Sequence, residues 1–385
     1  MNSTGRAILF FMLMIGMPIV LVAIMEGPRR AHTTMAVAPP FPPDSEILSL
    51  LRRRVEQRRS AGIVVGLLEP GGRSRIIAYG DPGPGQPPLD GNSVFEIGSI
   101  TKVFTATMLA QMVQEGSLHL DDPAQRFLPA DAHLPTREGK QITLAELSEQ
   151  NSGLPRLPTN MHPANDANPY ADYTVQQMYS FLSSYQLTRD PGARFEYSNL
   201  GVGLLGNILA RHENTTYDAL VRTRVLDPLG MTHTAITLTP WMQAHLALGH
   251  DDAGAVVSGW DLPALAGAGA LRSTALDMLK FLDANLHPTR GPLARAMAFA
   301  HISRAPTDTP NLSIGLNWFI LHAGADTVIQ HNGGTGGYRA FAGFSPGKRI
   351  AVVVLTNSGG TGADDIGLHL LSRAIPLSEA PTKAP

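Results

Sequence analysis

The sequence predicts an α/β fold whose antiparallel sheet takes its strands from both ends of the chain. Two observations carry this. Short apolar runs of strand type stand near the start, at residues 62–68 and 74–79, and return in the final third, whereas residues 140–300 read mainly as helices. Strands separated by so long a helical stretch bury their faces most simply by completing one sheet from the two ends. At 385 residues, with 43% hydrophobic and 16% charged residues, the chain can hold one large domain or two ordinary ones with a substantial core.

The first segment is not part of that core. Ala7 to Met25 is a run of 19 uncharged, mostly apolar residues after Arg6, just long enough to span a bilayer. Residues 1–35 are therefore expected to be a signal peptide or an N-terminal membrane anchor, and the protein to be exported to a periplasmic or extracytoplasmic place. A small-x-small site at Ala36-Val37-Ala38 lies far from the apolar run, which leaves cleavage open. Residues 36–43 read as a Pro-rich linker, 44–375 as the folded domain and 376–385 as a disordered tail.

Arg52, Arg53, Arg54, Arg58 and Arg59 follow, interleaved with Ile47, Leu48, Leu51 and Val55 at helical spacing. That pattern describes an amphipathic helix with a solvated basic face rather than a membrane or nucleic-acid patch. The formal charge of −2 likewise gives no case for nucleic acid. Cysteine is absent, which excludes disulfides and thiolate chemistry, and the 13 histidines are scattered without ligand spacing. No metal and no cofactor is expected.

The runs at 62–68 and 74–79 flank Glu69-Pro70-Gly71-Gly72 and predict a β-hairpin. A Gly/Pro loop spans Asp81 to Pro88. Phe95 to Gly116 reads as a buried helix with a left-handed stop at Gly116. Leu118 to Pro123 is a loop that opens a short helix, Pro155 to Pro169 a polar surface rim, Leu200 to Ala210 a buried helix, and Ser273-Thr274 the start of another. Residues 314–320, 341–344 and 350–357 are read as the returning strands, with His331 to Tyr338 as a glycine-rich stretch between them.

Ser99 and Lys102 sit three residues apart at the first turn of the 95–116 helix, hence on one face. A desolvated lysine can lose its proton and serve as base to a serine, and a helix N-terminus favours an oxyanion. Ser-x-x-Lys recurs at Ser345 and Lys348, where Pro346 and Gly347 make a turn, so spacing alone is weak. The pair reads equally well as an N-cap serine before a surface lysine. Tyr197-Ser198-Asn199 follows a turn at Asp190 to Arg194. Beside a cationic lysine its phenol pKa is expected to fall, suiting it to move protons; the plain alternative is a packed tyrosine. The glycines of His331-Asn332-Gly333-Gly334 would let backbone approach a ligand, or simply form a hairpin loop.

In this order the three elements resemble the serine hydrolases of the class C β-lactamase and DD-peptidase (penicillin-binding) superfamily, related esterases included. Asn151-Ser152-Gly153-Leu154-Pro155, Phe195 to Gly201, Leu226 to Met231 and Val354 to Asn357 extend the likeness over roughly residues 44 to 372. The resemblance implies a β-lactamase/transpeptidase-like fold: the sheet from both chain ends flanked by helices, an all-helical subdomain, and a cleft between. It implies that Ser99 is acylated, with Lys102 its partner and Tyr197 the proton shuttle. Asn199 would contact the substrate amide, and Gly334 and Ser99 would give the oxyanion N–H groups. His331-Asn332-Gly333 stands where β-lactamases of this class usually have Lys-Thr-Gly. Whether Lys102 or Tyr197 is the acylation base stays open.

The implied substrates are D-amino-acid peptides, β-lactams or small esters, taken as small molecules or peptidoglycan-like peptides. Histidine in place of the lysine speaks against strong β-lactamase activity: it is mostly neutral at pH 7 and charges only towards its ordinary pKa near 6.5. A preference for carboxylate-bearing substrates is thus expected to grow from pH 8 to pH 6, with Arg339 the other cation at hand. The rival reading is a non-catalytic penicillin-recognising or sensor domain, which has no need of Ser99, Lys102 and Tyr197 together.

Overall fold

The computed structural model describes residues 39–288, 291–360 and 362–378. The apolar run at 7–25 and most of the expected tail lie outside these residues. Among the described residues no helix is long and apolar enough to cross a membrane. Phe41, in the expected linker, is buried against Ile47 and Leu51.

Helix α1 (Asp44–Glu56) precedes the hairpin of β1 (Gly62–Leu68) and β2 (Ser74–Gly80), paired from Gly62 with Gly80 to Leu68 with Ser74. Strand β3 (Val94–Glu96) pairs with the distant β4 (Arg272–Thr274) in a separate two-stranded ribbon. Between them lie α2 (Thr101–Glu115), α3 (Leu144–Ser148), α4 (Val175–Ser184), α5 (Asn199–His212), α6 (Tyr217–Val221), α7 (Pro240–Ala244) and α8 (Ala266–Gly269). After β4 come α9 (Ala275–Leu286) and α10 (Pro292–Ala300), then β5 (Ala305–Pro306), β6 (Leu312–Ile314), β7 (Phe319–Ala323), β8 (Asp326–Gly334), β9 (Arg339–Ser345) and β10 (Ile350–Thr356). Helix α11 (Asp364–Leu371) closes the fold.

The main sheet has the order β2-β1-β10-β9-β8-β7-β6-β5, every neighbour antiparallel. The two chain ends therefore meet at β1 and β10, as the sequence predicts. Both faces of these strands are covered, which explains their unbroken apolar runs. Val64, Val353 and Leu355 face a large core shared with α2, α5 and α9, whereas Ile63, Val65, Val352 and Val354 face α1 and α11. Arg54 of α1, one of the five clustered arginines, is buried in an ion pair with Asp365 of α11.

Three expectations need correction. The helix read from Phe95 begins only at Thr101, because Phe95 and Glu96 pair with Ser273 and Arg272 in the ribbon. The strand read at 314–320 is two strands. Between them Asn317 adopts φ +55° and turns inward, donating from its backbone N–H to Ser148 O at 2.9 Å and accepting from Gln150 Nε2 at 2.9 Å. The glycine-rich stretch from His331 is no loop through Gly334: it is the end of β8, paired with β9 from His331 with Ala342 to Gly334 with Arg339. Ser378, in the expected disordered tail, donates its N–H to Asp365 Oδ2 at 2.8 Å.

Candidate active site

The cleft starts from a close approach of two backbones. A tight turn, Gly98–Ile100, leads into α2, and Gly98 holds φ +49°, a conformation that favours glycine. A side chain at Gly333 would overlap the carbonyl oxygen of Ile97 and lie 3.0 Å from the amide nitrogen of Ser99. A methyl on Gly98 would lie 2.7 Å from the amide nitrogen of Gly334. Glycines on both sides thus let the end of β8 press against the turn carrying Ser99, which brings the amides of Ser99 and Gly334 to one place.

Lys102 is fully buried one turn further on. Its Nζ lies 3.0 Å from Ser99 Oγ, 2.8 Å from Asn199 Oδ1 and 2.7 Å from Ala268 O. Burial holds its pKa well below the ordinary lysine value, with the charge of Arg156 acting the same way. A neutral amine has two hydrogens and one lone pair. In that form the carbonyl oxygens of Asn199 and Ala268 take both hydrogens and the lone pair is left for the Ser99 hydroxyl. The alternative of a surface lysine is thereby ruled out by burial.

Tyr197 precedes α5, whose N-cap Ser198 accepts from Gly201 N at 2.9 Å and donates to Pro155 O at 2.7 Å. Its ring lies 4.9 Å from Lys102 Nζ, and its hydroxyl stands beside Ser99. The expected fall of its pKa does not occur: burial pushes the phenol up to about 12, against the lowering influence of the Ser99 hydroxyl and the Arg156 charge. The expectation left out burial, which outweighs the nearby charge.

His331 also departs from expectation. It is 1% exposed, beneath the cleft floor, with its ring centroid 5.2 Å from that of Phe319 and 6.2 Å from that of Tyr197. Burial pushes its pKa down to about 3, so it gains no charge between pH 8 and pH 6. Its Nδ1 meets Asn332 O at 2.6 Å, which makes Nδ1 the protonated nitrogen and leaves Nε2 buried without a partner. Asn332 itself is exposed on the cleft and donates from Nδ2 to Asp364 Oδ2 at 2.6 Å.

The cleft is about 670 Å³, and Ser99, Tyr197, Asn199, Asn332, Gly333 and Gly334 line it. Arg156, Arg339, Tyr170 and Trp260 join them. Of these four the sequence singled out only Arg339. Its Nη1 donates to the carbonyls of Thr335 and Tyr338 at 2.8 and 2.9 Å. Trp260 packs against Tyr170 at 5.1 Å, and its backbone N–H donates to Glu96 Oε1, itself paired with Arg272. No sequence pattern marks Arg156 beyond its place directly after Gly153-Leu154-Pro155. Among the described residues no group of His, Asp or Glu is placed to hold a metal ion.

A sequence profile of the beta-lactamase family matches residues 47–374. A beta-lactamase of Pseudomonas fluorescens is 27% identical over 335 residues, 79% of this chain and 90% of that protein. The D-alanyl-D-alanine-carboxypeptidase/endopeptidase AmpH of Escherichia coli is 32% identical over 307 residues, 74% of this chain and 77% of its own length. The crystal structure of a beta-lactamase/D-alanine carboxypeptidase from Pseudomonas syringae superposes with a TM-score of 0.74 at 21% identity, covering 88% of this chain and 99% of that one. That likeness shows a shared fold.

Proposed function

The chain belongs to the beta-lactamase family, and on that premise we propose that it is a serine hydrolase working through an acyl-enzyme on Ser99. The observation that supports this best is the buried Lys102 amine 3.0 Å from Ser99 Oγ, with its hydrogens otherwise engaged. The Ser99 proton passes to Lys102 Nζ as Oγ bonds to the substrate carbonyl carbon. The carbonyl oxygen takes the electron pair and sits against the amides of Ser99 and Gly334. When the C–N or C–O bond breaks, Tyr197, protonated at rest, gives its proton to the leaving group. The proton held by Lys102 then restores the phenol, and water repeats the sequence on the acyl-enzyme.

In this reading Asn199 has two tasks, since it both holds Lys102 and lines the cleft where a substrate amide would lie. The substrate class is D-amino-acid peptides, β-lactams or small esters, met outside the cytoplasmic membrane. The resemblance to carboxypeptidases and beta-lactamases supports amide substrates, and the absence of a charged group at His331 weighs towards peptides and esters. Recovery of the full-length chain from the cytosol would contradict export.

The deciding test is intact-protein mass spectrometry after exposure to a fluorophosphonate and to a penicillin. One adduct, mapped to Ser99 and missing from the Ser99→Ala protein, is expected, and its persistence with penicillin reports deacylation. A chain that takes neither reagent yet binds penicillin would be a recognition domain, and the acyl-enzyme reading would be wrong.

A further inference from the structure

Arg156 stands at the cleft with no role so far. Its backbone carbonyl accepts from Asn199 N at 3.0 Å and Leu200 N at 3.2 Å, and the preceding carbonyl, of Pro155, takes the Ser198 hydroxyl. The residue is thereby fixed to the segment that carries Tyr197 and Asn199. Its guanidinium carbon lies 5.1 Å from the Tyr197 ring centroid. Arg189 and Arg194, which flank Tyr197 in sequence, both pair with Glu196, whereas no described carboxylate pairs with Arg156.

The charges around Tyr197 make this cation matter. Lys102 of α2 faces the ring but burial holds its pKa well below the ordinary lysine value, His331 of β8 is buried and neutral, Ser99 is uncharged, and Glu196 is taken up by its arginines. Among the described residues Arg156 is the one permanent charge over the ring, and its field favours loss of a proton from both Lys102 and Tyr197. We infer that Arg156 is a positioning residue for acyl transfer: anchored by its carbonyl to the first turn of α5, it lays over Tyr197 the fixed positive charge that the proton transfers from Ser99 and to the leaving group require. A substrate filling the cleft expels water from around the guanidinium and strengthens the effect. The inference rests on the acyl-enzyme reading above.

The test compares Arg156→Gln and Arg156→Met with Arg156→Lys, all of which keep the capping carbonyl. The readout is the rate of Ser99 labelling by an uncharged fluorophosphonate from pH 5 to pH 10, which involves no substrate carboxylate. A unit charge about 5 Å away in a half-wet cleft moves a titration by about one pH unit. The uncharged variants are expected to be roughly tenfold slower along the ascending limb, which moves about one unit higher, with wild-type rates regained above it. Arg156→Lys is expected to stay within about threefold of wild type throughout. An unmoved limb in the uncharged variants, or a lysine variant as slow as they are, would overturn the inference. Failure of the wild type itself to be labelled on Ser99 would instead overturn the acyl-enzyme reading, and this inference with it.

Discussion

Gly333 lies so close to the strand-to-helix turn that any side chain there would overlap the carbonyl of Ile97, two residues before Ser99. The consequence is chemical. Only glycine lets β8 carry the Gly334 amide to the side of the cleft where the Ser99 amide points. Gly333→Ala must push strand and turn apart, and a donor displaced from an oxyanion costs about 10²-fold to 10³-fold in rate. We expect that loss in fluorophosphonate labelling, together with a melting temperature lowered by several degrees. Labelling within threefold of wild type would show that the two amides do not act together.

Tyr197→Phe keeps the ring under Arg156 and removes only the hydroxyl. Because the phenol is protonated at rest and stands beside Ser99, its loss is expected to slow turnover of a peptide amide by about 10²-fold or more. An activated ester, whose leaving group needs no proton, should suffer less than the amide. Equal losses on both substrates would show that Tyr197 acts before the bond breaks, and no loss would make it a packing residue.

Much of this site was legible because its chemistry is local in sequence. Ser99 and Lys102 share one helical turn, and the apolar faces of α2 announce a helix buried on all sides, which is what lowers the lysine's pKa. The sheet was legible at β1, β2 and β10, whose apolar runs are long and unbroken. Strand β8 was not, because its functional end is Gln330-His331-Asn332-Gly333-Gly334, polar and glycine-rich, and only pairing with β9 makes it a strand. Burial was the second blind spot. The sequence fixes that residue 331 is histidine, but not that Phe319 and Tyr197 close over it. Arg156 escaped because its role depends on a contact with a residue 41 positions away, read from its place beside Tyr197.

The buried state of His331 changes the specificity expected of the cleft. With its pKa near 3, it offers no cation at any pH from 6 to 8, so the preference for carboxylate-bearing substrates should not change over that range. The half-buried cation on that side is Arg339, paired in register with Gly334. Arg339→Gln is therefore expected to lower kcat/KM for a peptide with a free carboxylate by about 10-fold to 100-fold, the scale of a lost charge-assisted hydrogen bond, and to leave its amidated twin nearly unchanged. A preference that rises from pH 8 to pH 6 and vanishes in His331→Gln would restore the histidine as the carboxylate partner. His331→Lys, rather than conferring penicillin turnover, should destabilise the protein by placing a second amine beside Lys102.

The protonation state of Lys102 can be read without any substrate, through stability. In the unfolded chain its amine titrates near 10.4, whereas burial in the fold sets the value lower. Between those two values the unfolded state binds the extra proton, so this residue makes stability rise with pH, present in full above about 10.4 and lost as the pH falls. Lys102→Met removes the titration while filling the same space. It also leaves the carbonyls of Asn199 and Ala268 without a donor, so the sign of its effect at one pH decides nothing. The difference between the two proteins is what carries the information. Urea unfolding at pH 7, 8 and 9 should show wild type gaining on Lys102→Met by up to about 1.4 kcal/mol per pH unit, the full value for one proton. Were Lys102 charged in the fold from pH 7 to 9, both states would keep the proton and the difference would stay flat over that range. A flat difference would thus remove the lone pair from Ser99 and leave Tyr197 as the base.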